Sequence, residues 1–226
     1  LEVCKYPTTQ EMWLEVEETN PSYFKGDKRP VEQVSWWDVI YYCNKMSKKY
    51  NLEPVYNITY DDFDKEVLKI NQIGESPAEP DKADFRKTEG FRLPTEVEWE
   101  WFARGGEVAI QDGTFDKKYS GSDNPDKVAW YLGNSKKETH NVETKLSNQL
   151  GIYDCSGNVC EWCYDTYINS NLANGLAYIY DKNQGSRRLK GGYWDIPDYF
   201  CAIIDRNSVS NSARSNEIGF RIVRTV

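Results

Sequence analysis

Beyond residue 106 the chain offers no long periodic apolar segment, and this constrains its fold more than any other feature. Short apolar pieces alternate there with Gly, Asn, Asp and Ser, as in 121–134 and 147–158. Much of that half must therefore be irregular, with only three runs reading as strands: 188–194, 200–204 and 218–223. In the last, Ile218, Phe220 and Ile222 alternate inward. The first half is more regular. Residues 35–50 place Trp36, Val39, Ile40, Cys43 and Met46 on one helical stripe, with Ser35 and Asp38 as N-cap and N3 acid. Residues 95–104 repeat the device with Thr95 and Glu98 and stop at Gly105-Gly106. A shorter helix is predicted at about 9–17. The polar, Pro- and Gly-bearing stretch 71–90 reads as a long surface insertion. The pattern predicts an α+β fold, one domain over residues 1–226.

Charge and composition narrow the chemistry. The 226 residues carry 28 Lys+Arg against 36 Asp+Glu, a formal net charge of −8, which argues against binding a phosphate backbone. A single core is sustainable at this length. No apolar run approaches the ~18 residues of a membrane span. One His rules out a multi-histidine metal centre. Of six cysteines, only Cys160 and Cys163 have CxxC spacing, and no second pair completes a Cys4 zinc site. An even count permits disulfides without specifying their pairing, so the compartment stays open. The opening LEVCK reads as the interior of a strand, with sequence expected upstream of it.

Four strings occur in a telling order: NPSYFKGDKRPVEQVSWWDVIYYCNKMS (20–47), GFRLPTEVEWEWFARGG (90–106), LGIYDCSGNVCEW (150–162) and RRLKGGYW…NEIGFRIV (187–223). Together they resemble the formylglycine-generating enzyme (sulfatase-modifying factor) family along nearly the whole chain. The resemblance implies an elaborated C-type lectin fold with little regular secondary structure. Its oxidase members hold copper with two cysteines after the Gly-Gly pair, since Cu(I) prefers soft thiolates. Here 191–206 contains Cys201 alone, so no copper is expected and a formylglycine-generating oxidase is the disfavoured alternative. The iron-dependent relatives need three His, and this chain has only His140. Cys201 reads instead as a small buried residue.

The resemblance also implies a structural Ca²⁺ held by Asp154, the carbonyls of Gly157 and Val159, and Glu161, hard oxygens of the kind calcium prefers. The alternative is that Asp154 and Glu161 satisfy backbone N–H groups without a metal. Cys160 stands where the family usually has Trp.

Residues 195–216 contain no Lys, Gln, Glu, Met or Trp, although those types supply 53 of the 226 residues. Uniform composition would leave such a window empty of all five about three times in a thousand. None of the five has a codon ending in a pyrimidine, so none arises by randomising the adenines of AAC or AAT codons. That is the mark of a diversity-generating retroelement, and the chain resembles the lectin-type variable proteins such elements diversify on spirochaete surfaces. Gly191, Gly192, Trp194, Cys201, Arg206, Arg214 and Ile218 to Arg221 match the fixed positions. The resemblance implies a non-enzymatic receptor with a variable region at about 193–217. Its ligand-binding candidates are Tyr193, Asp195, Ile196, Pro197, Asp198, Tyr199, Phe200, Asp205, Asn207, Ser208, Val209, Ser210, Ser212, Ser215 and Asn216, an antibody-like mix of aromatics and small polar groups. The expected partner is a macromolecule, protein or glycan, met at a bacterial cell surface or outside the cell. A lectin-like domain of fixed specificity is the remaining alternative.

Overall fold

A computed structural model describes residues 1–62, 66–166 and 185–226. The first part runs β1 (Glu2–Val3), α1 (Gln10–Trp13), α2 (Trp36–Lys49), β2 (Tyr56–Tyr60), β3 (Glu66–Ile70) and β4 (Phe91–Arg92). It continues with α3 (Glu96–Ala103), α4 (Gly106–Asp112), α5 (Pro125–Val128), β5 (Ala129–Trp130) and β6 (Ser156–Gly157). The last strands are β7 (Cys160–Thr166), β8 (Ser186–Lys190), β9 (Asn207–Ser210), β10 (Ile218–Phe220) and β11 (Val223–Arg224). Helix and strand account for about 23% and 21% of the described residues. The helix share falls short of the roughly 30–35% usual for globular domains, as expected for a fold built largely of loops.

Local rules set both long helices. Ser35 accepts from the Asp38 N–H while Asp38 accepts from the Ser35 N–H, and Thr95 and Glu98 do the same at α3. The helix expected at 9–17 is a single turn, capped by Thr9 and ending at Leu14. The chain does not leave helix after Gly105-Gly106: Gly105, at φ +88°, both ends α3 and caps α4.

A four-stranded sheet in the order β10-β7-β8-β9 forms the centre, with β10 parallel to β7 and the other pairs antiparallel. A smaller sheet, β1-β11-β4, joins the two ends of the chain, and β2 and β3 form a hairpin. The main apolar cluster lies between α2 and the central sheet, around Trp36, Tyr42, Trp162, Tyr164 and Phe220. Its indoles are not left unpaired: Trp36 donates to the Cys163 carbonyl at 3.1 Å and Trp162 to the Val34 carbonyl at 3.0 Å.

Two expectations need correction. Residues 200–204 are not a strand. Asp198–Cys201 is a 3-10 turn entered through Pro197, and it swings Cys201, Ala202 and Ile203 inward. The strand in this region is β9, a few residues later. The stretch 71–90 is not simply a surface excursion either. It pairs back through Ile70 and Ala78, makes two 3-10 turns, and buries Pro80, Phe85 and Thr88. The CxxC spacing brings no pair of thiols together, since Cys160 and Cys163 both lie on β7. On a strand, positions i and i+3 point to opposite faces, so Cys160 joins the main cluster and Cys163 the one around Trp99 and Phe102.

Candidate functional site: the C-terminal window

The window opens at two glycines held in the left-handed region, Gly191 at φ +93° and Gly192 at φ +68°. A Cβ on Gly191 would lie 2.8 Å from the Cys155 carbonyl, and one on Gly192 would lie 2.7 Å from the Cys201 sulfur. Only glycine allows this approach. Trp194 then staples the window's start to its end. Its indole is buried, donates to the Asn216 carbonyl at 3.0 Å, and meets Phe24 edge-on at 5.2 Å. Its backbone N–H donates to the Asn158 carbonyl at 3.1 Å.

Two arginines fix the remainder. Arg206 binds both carboxylate oxygens of Glu96, at 2.5 and 2.7 Å, and Arg214 binds both oxygens of Asp38. Both acids sit in the first turn of a helix, where the dipole favours a negative charge. β9 is held to β8 in the register Leu189↔Asn207 to Ser186↔Ser210.

None of the fifteen candidate side chains is buried. Asp195, Tyr199, Phe200, Asn207, Ser210 and Ser212 are exposed. Tyr199 and Phe200, 56% and 37% exposed, stand together with ring centroids 4.4 Å apart. Tyr193, Ile196, Pro197, Asp198, Asp205, Ser208, Val209, Ser215 and Asn216 are half-buried. Tyr193 and Val209 lean on the main cluster, and Ile196 on a smaller one of Tyr119, Val128, Cys201 and Ala202. Asp198 accepts from the Tyr119 hydroxyl at 2.6 Å, and the Asp205 carbonyl accepts from Lys190 at 2.7 Å. Residues of the same face that sequence reasoning missed are Ile204, 69% exposed, and Leu132, whose N–H donates to the Ile196 carbonyl at 3.0 Å. The strand expected at 200–204 hid Ile204, and only a contact across the chain reveals Leu132.

Cys201 is fully buried, and burial pushes its thiol up to about 12, well away from the thiolate a soft metal needs. With no second cysteine in 191–206, the residues present do not fit a two-thiolate copper site.

The calcium block behaves differently. Glu161 is buried and fully engaged: it accepts from Trp99 at 2.8 Å and from Arg221 at 3.0 and 2.8 Å. Arg221 also donates to the carbonyls of Cys4 and Tyr153. Asp154 is buried in the left-handed region at φ +56°. One of its oxygens accepts the Glu143 N–H at 2.8 Å, and the other has no partner among the described residues. Burial pushes its carboxyl up to about 6, partly opposed by Arg221. Gly157, at φ +75°, packs so closely that a Cβ would lie 2.2 Å from the Trp130 carbonyl. The orphaned Asp154 oxygen fits a hard cation. Arg221 already neutralises Glu161, leaving it at most a secondary ligand.

A lectin-type scaffold with a glycine-gated, arginine-clamped loop surface is therefore what the fold and site define. The chain belongs to the sulfatase-modifying factor enzyme 1-like domain family, whose model matches residues 3–226. It is 42% identical to chaperone protein LppX of Paenibacillus barcinonensis over 99% of this chain and 79% of that one. The solved structure of Treponema denticola variable protein 1 superposes with a TM-score of 0.77 at 34% identity, over 97% of this chain and 82% of that one. The formylglycine-generating enzyme of Streptomyces coelicolor is 28% identical over 62% of this chain and 49% of its own length. The fold is thus the formylglycine-generating-enzyme subtype of the C-type lectin fold. Among the described residues no helix is long and apolar enough to cross a membrane.

Proposed function

We propose that residues 1–226 act as one non-enzymatic binding domain whose face at 193–217, diversified by a retroelement, recognises a protein or glycan at the bacterial surface or outside the cell. One observation carries this reading. The fifteen candidate side chains are all at least partly accessible, while Trp194, Cys201, Ala202, Ile203, Ile218 and Phe220 between and beside them are buried. A loop of this kind tolerates variation because its backbone is held by groups that do not vary. Tyr199 and Phe200 supply rigid contact area, and the serines and asparagines supply adaptable hydrogen bonds. The likeness to a protein named as variable supports the same reading. So does the single cysteine, which leaves the oxidase chemistry of the family without its metal ligands.

A second reading, a fixed protein partner, is favoured by the relative named as a chaperone. Under it the window sequence is constant and specificity is inherited.

The calcium site is part of the proposal. Asp154 would be its principal side-chain ligand, with the Gly157 and Val159 carbonyls and Glu161. The ion would neutralise a buried carboxylate and tie 154–161 to the rest of the fold.

The test is a variant substituted together at Asp195, Tyr199, Phe200, Asn207, Ser210 and Ser212, assayed for melting and on arrays of surface proteins and glycans. The reading expects an intact fold and an altered set of ligands. An unchanged set, or a protein that no longer folds, contradicts it.

A further inference from the structure

Helix α3 has two apolar stripes, and the core uses only one. Trp99, Phe102 and Ala103 are buried, whereas Val97 and Trp101, one turn apart, are each 44% exposed. Phe115 lies against Trp101 with ring centroids 5.6 Å apart. Arg104 stacks on Phe115 at 5.5 Å and donates to its carbonyl at 3.3 Å. With Glu96 and Glu100 these residues line a groove of about 220 Å³. Past Gly106 the apolar surface continues to Leu150, itself exposed.

The groove is smaller than the roughly 300–1,000 Å³ of small-molecule sites, but it suits a large side chain presented by another protein. A half-exposed indole at its rim is the residue type that most often dominates interface energy. The surrounding charge selects the partner. Residues 96–118 contain six carboxylates, Glu96, Glu98, Glu100, Glu107, Asp112 and Asp116, against Arg104, Lys117 and Lys118, of which the two lysines are paired with Asp123 and Asp198. Glu96, Glu98 and Glu100 are paired with Arg206, Arg92 and Lys190. Glu107, Asp112 and Asp116 are exposed and enter none of the ion pairs among the described residues. A second copy of this face, or an anionic lipid surface, would meet like charge.

We propose that this face docks an amphipathic basic helix of a partner protein. An apolar side chain enters the groove over Trp101, and Lys or Arg residues beside it meet Glu107, Asp112 and Asp116. This is helix-in-groove recognition with complementary charge at the rim. It involves none of the fifteen window positions and does not rest on the reading given for them.

The probe is a fluorescently labelled amphipathic Leu/Lys helical peptide, titrated with the whole chain and followed by anisotropy, with a Leu/Glu peptide of the same pattern as control. The Leu/Lys peptide is expected to bind and the Leu/Glu peptide not to. Val97→Ser with Trp101→Ser should weaken binding by about tenfold or more, as loss of a hot spot does. Glu107→Lys with Asp112→Lys should weaken it comparably while leaving the apolar stripe intact, and this pair carries the test if the first variant fails to fold. Failure of the Leu/Lys peptide to bind, equal binding of both peptides, or affinity unchanged in the charge-reversed variant would overturn the proposal.

Discussion

Arg206 lays its guanidinium on Glu96 through both carboxylate oxygens, joining the C-terminal window to the first residue of α3 across 110 positions of chain. Glu96 is nearly inaccessible and also lies 3.6 Å from Arg188 and 3.9 Å from Lys190. One carboxylate thus gathers cations from β8 and from the window. Removing it withdraws negative charge from a buried cluster, whereas removing Arg206 opens a clamp nearer the surface. Glu96→Gln is therefore expected to destabilise the fold by about 3–5 kcal/mol and Arg206→Ala by about 1–3 kcal/mol. Urea denaturation measures both, and a cost below ~0.5 kcal/mol for each would show that the clamp is not structural.

How far the sequence reached depended on how local the cause was. The capping boxes at Ser35–Asp38 and Thr95–Glu98 lie within four residues, and the structure places them where expected. The second roles of two of those helix starts were invisible, because Asp38 meets Arg214 176 residues later and Glu96 meets Arg206 110 later. The β2–β3 hairpin is carried by two runs of only five residues, in which Tyr56, Ile58 and Tyr60 alternate with polar residues, but the intervening sequence DDFDK has no Gly, Asn or Pro to signal a turn. The strand expected at 200–204 failed because a run of apolar residues does not reveal that Pro197 opens a turn. For Glu161 the resemblance implies a metal-ligand role, while the partner it has in the structure, Arg221, lies 60 residues on.

Within the window, stability and recognition should separate by exposure. Tyr199→Ala and Phe200→Ala are expected to change stability by under about 0.5 kcal/mol, and Trp194→Ala to cost about 3–5 kcal/mol. Tyr193 and Ile196, which lean on apolar clusters, should fall between. Against a bound ligand the order reverses, the aromatic pair costing about 2 kcal/mol or more at a hot spot. Paired melting and affinity measurements on one set of variants read both orders.

Asp165 gives the fold an unusual response to pH. Burial, reinforced by the nearby Glu96 and Glu98 carboxylates, pushes its carboxyl up to about 7, although the Glu96 N–H donates to it at 2.5 Å. The folded state therefore holds this proton more tightly than the unfolded chain, where an aspartate titrates near 3.9. Its contribution is fully present below that unfolded value and is lost as pH rises through about 7, on the order of a few kcal/mol in all. Unfolding free energy should accordingly be higher at pH 5 than at pH 8, and Asp165→Asn should flatten the slope. A native slope identical to the variant's would remove Asp165 as its cause.

Calcium at Asp154 would bind only the folded chain and should raise its melting temperature. At about a hundred times the dissociation constant the gain is about 2.7 kcal/mol, and Asp154→Ala should abolish it. Melting curves in excess chelator and in saturating Ca²⁺ that coincide for the unsubstituted protein would speak against an exchangeable stabilising site.

The central claim is that residues 193–217 vary while the scaffold holding them does not. Sequencing the flanking DNA, and the same locus in independent isolates, tests it most directly. The account expects a reverse transcriptase beside a near-copy of codons 190–221 carrying Asn codons at the varied positions. Substitutions should fall at adenines of that template and spare Trp194, Cys201, Arg206, Arg214 and Phe220. A locus without such a copy, whose isolates differ no more in this window than in the rest of the chain, would contradict the account and leave a binding domain of fixed specificity.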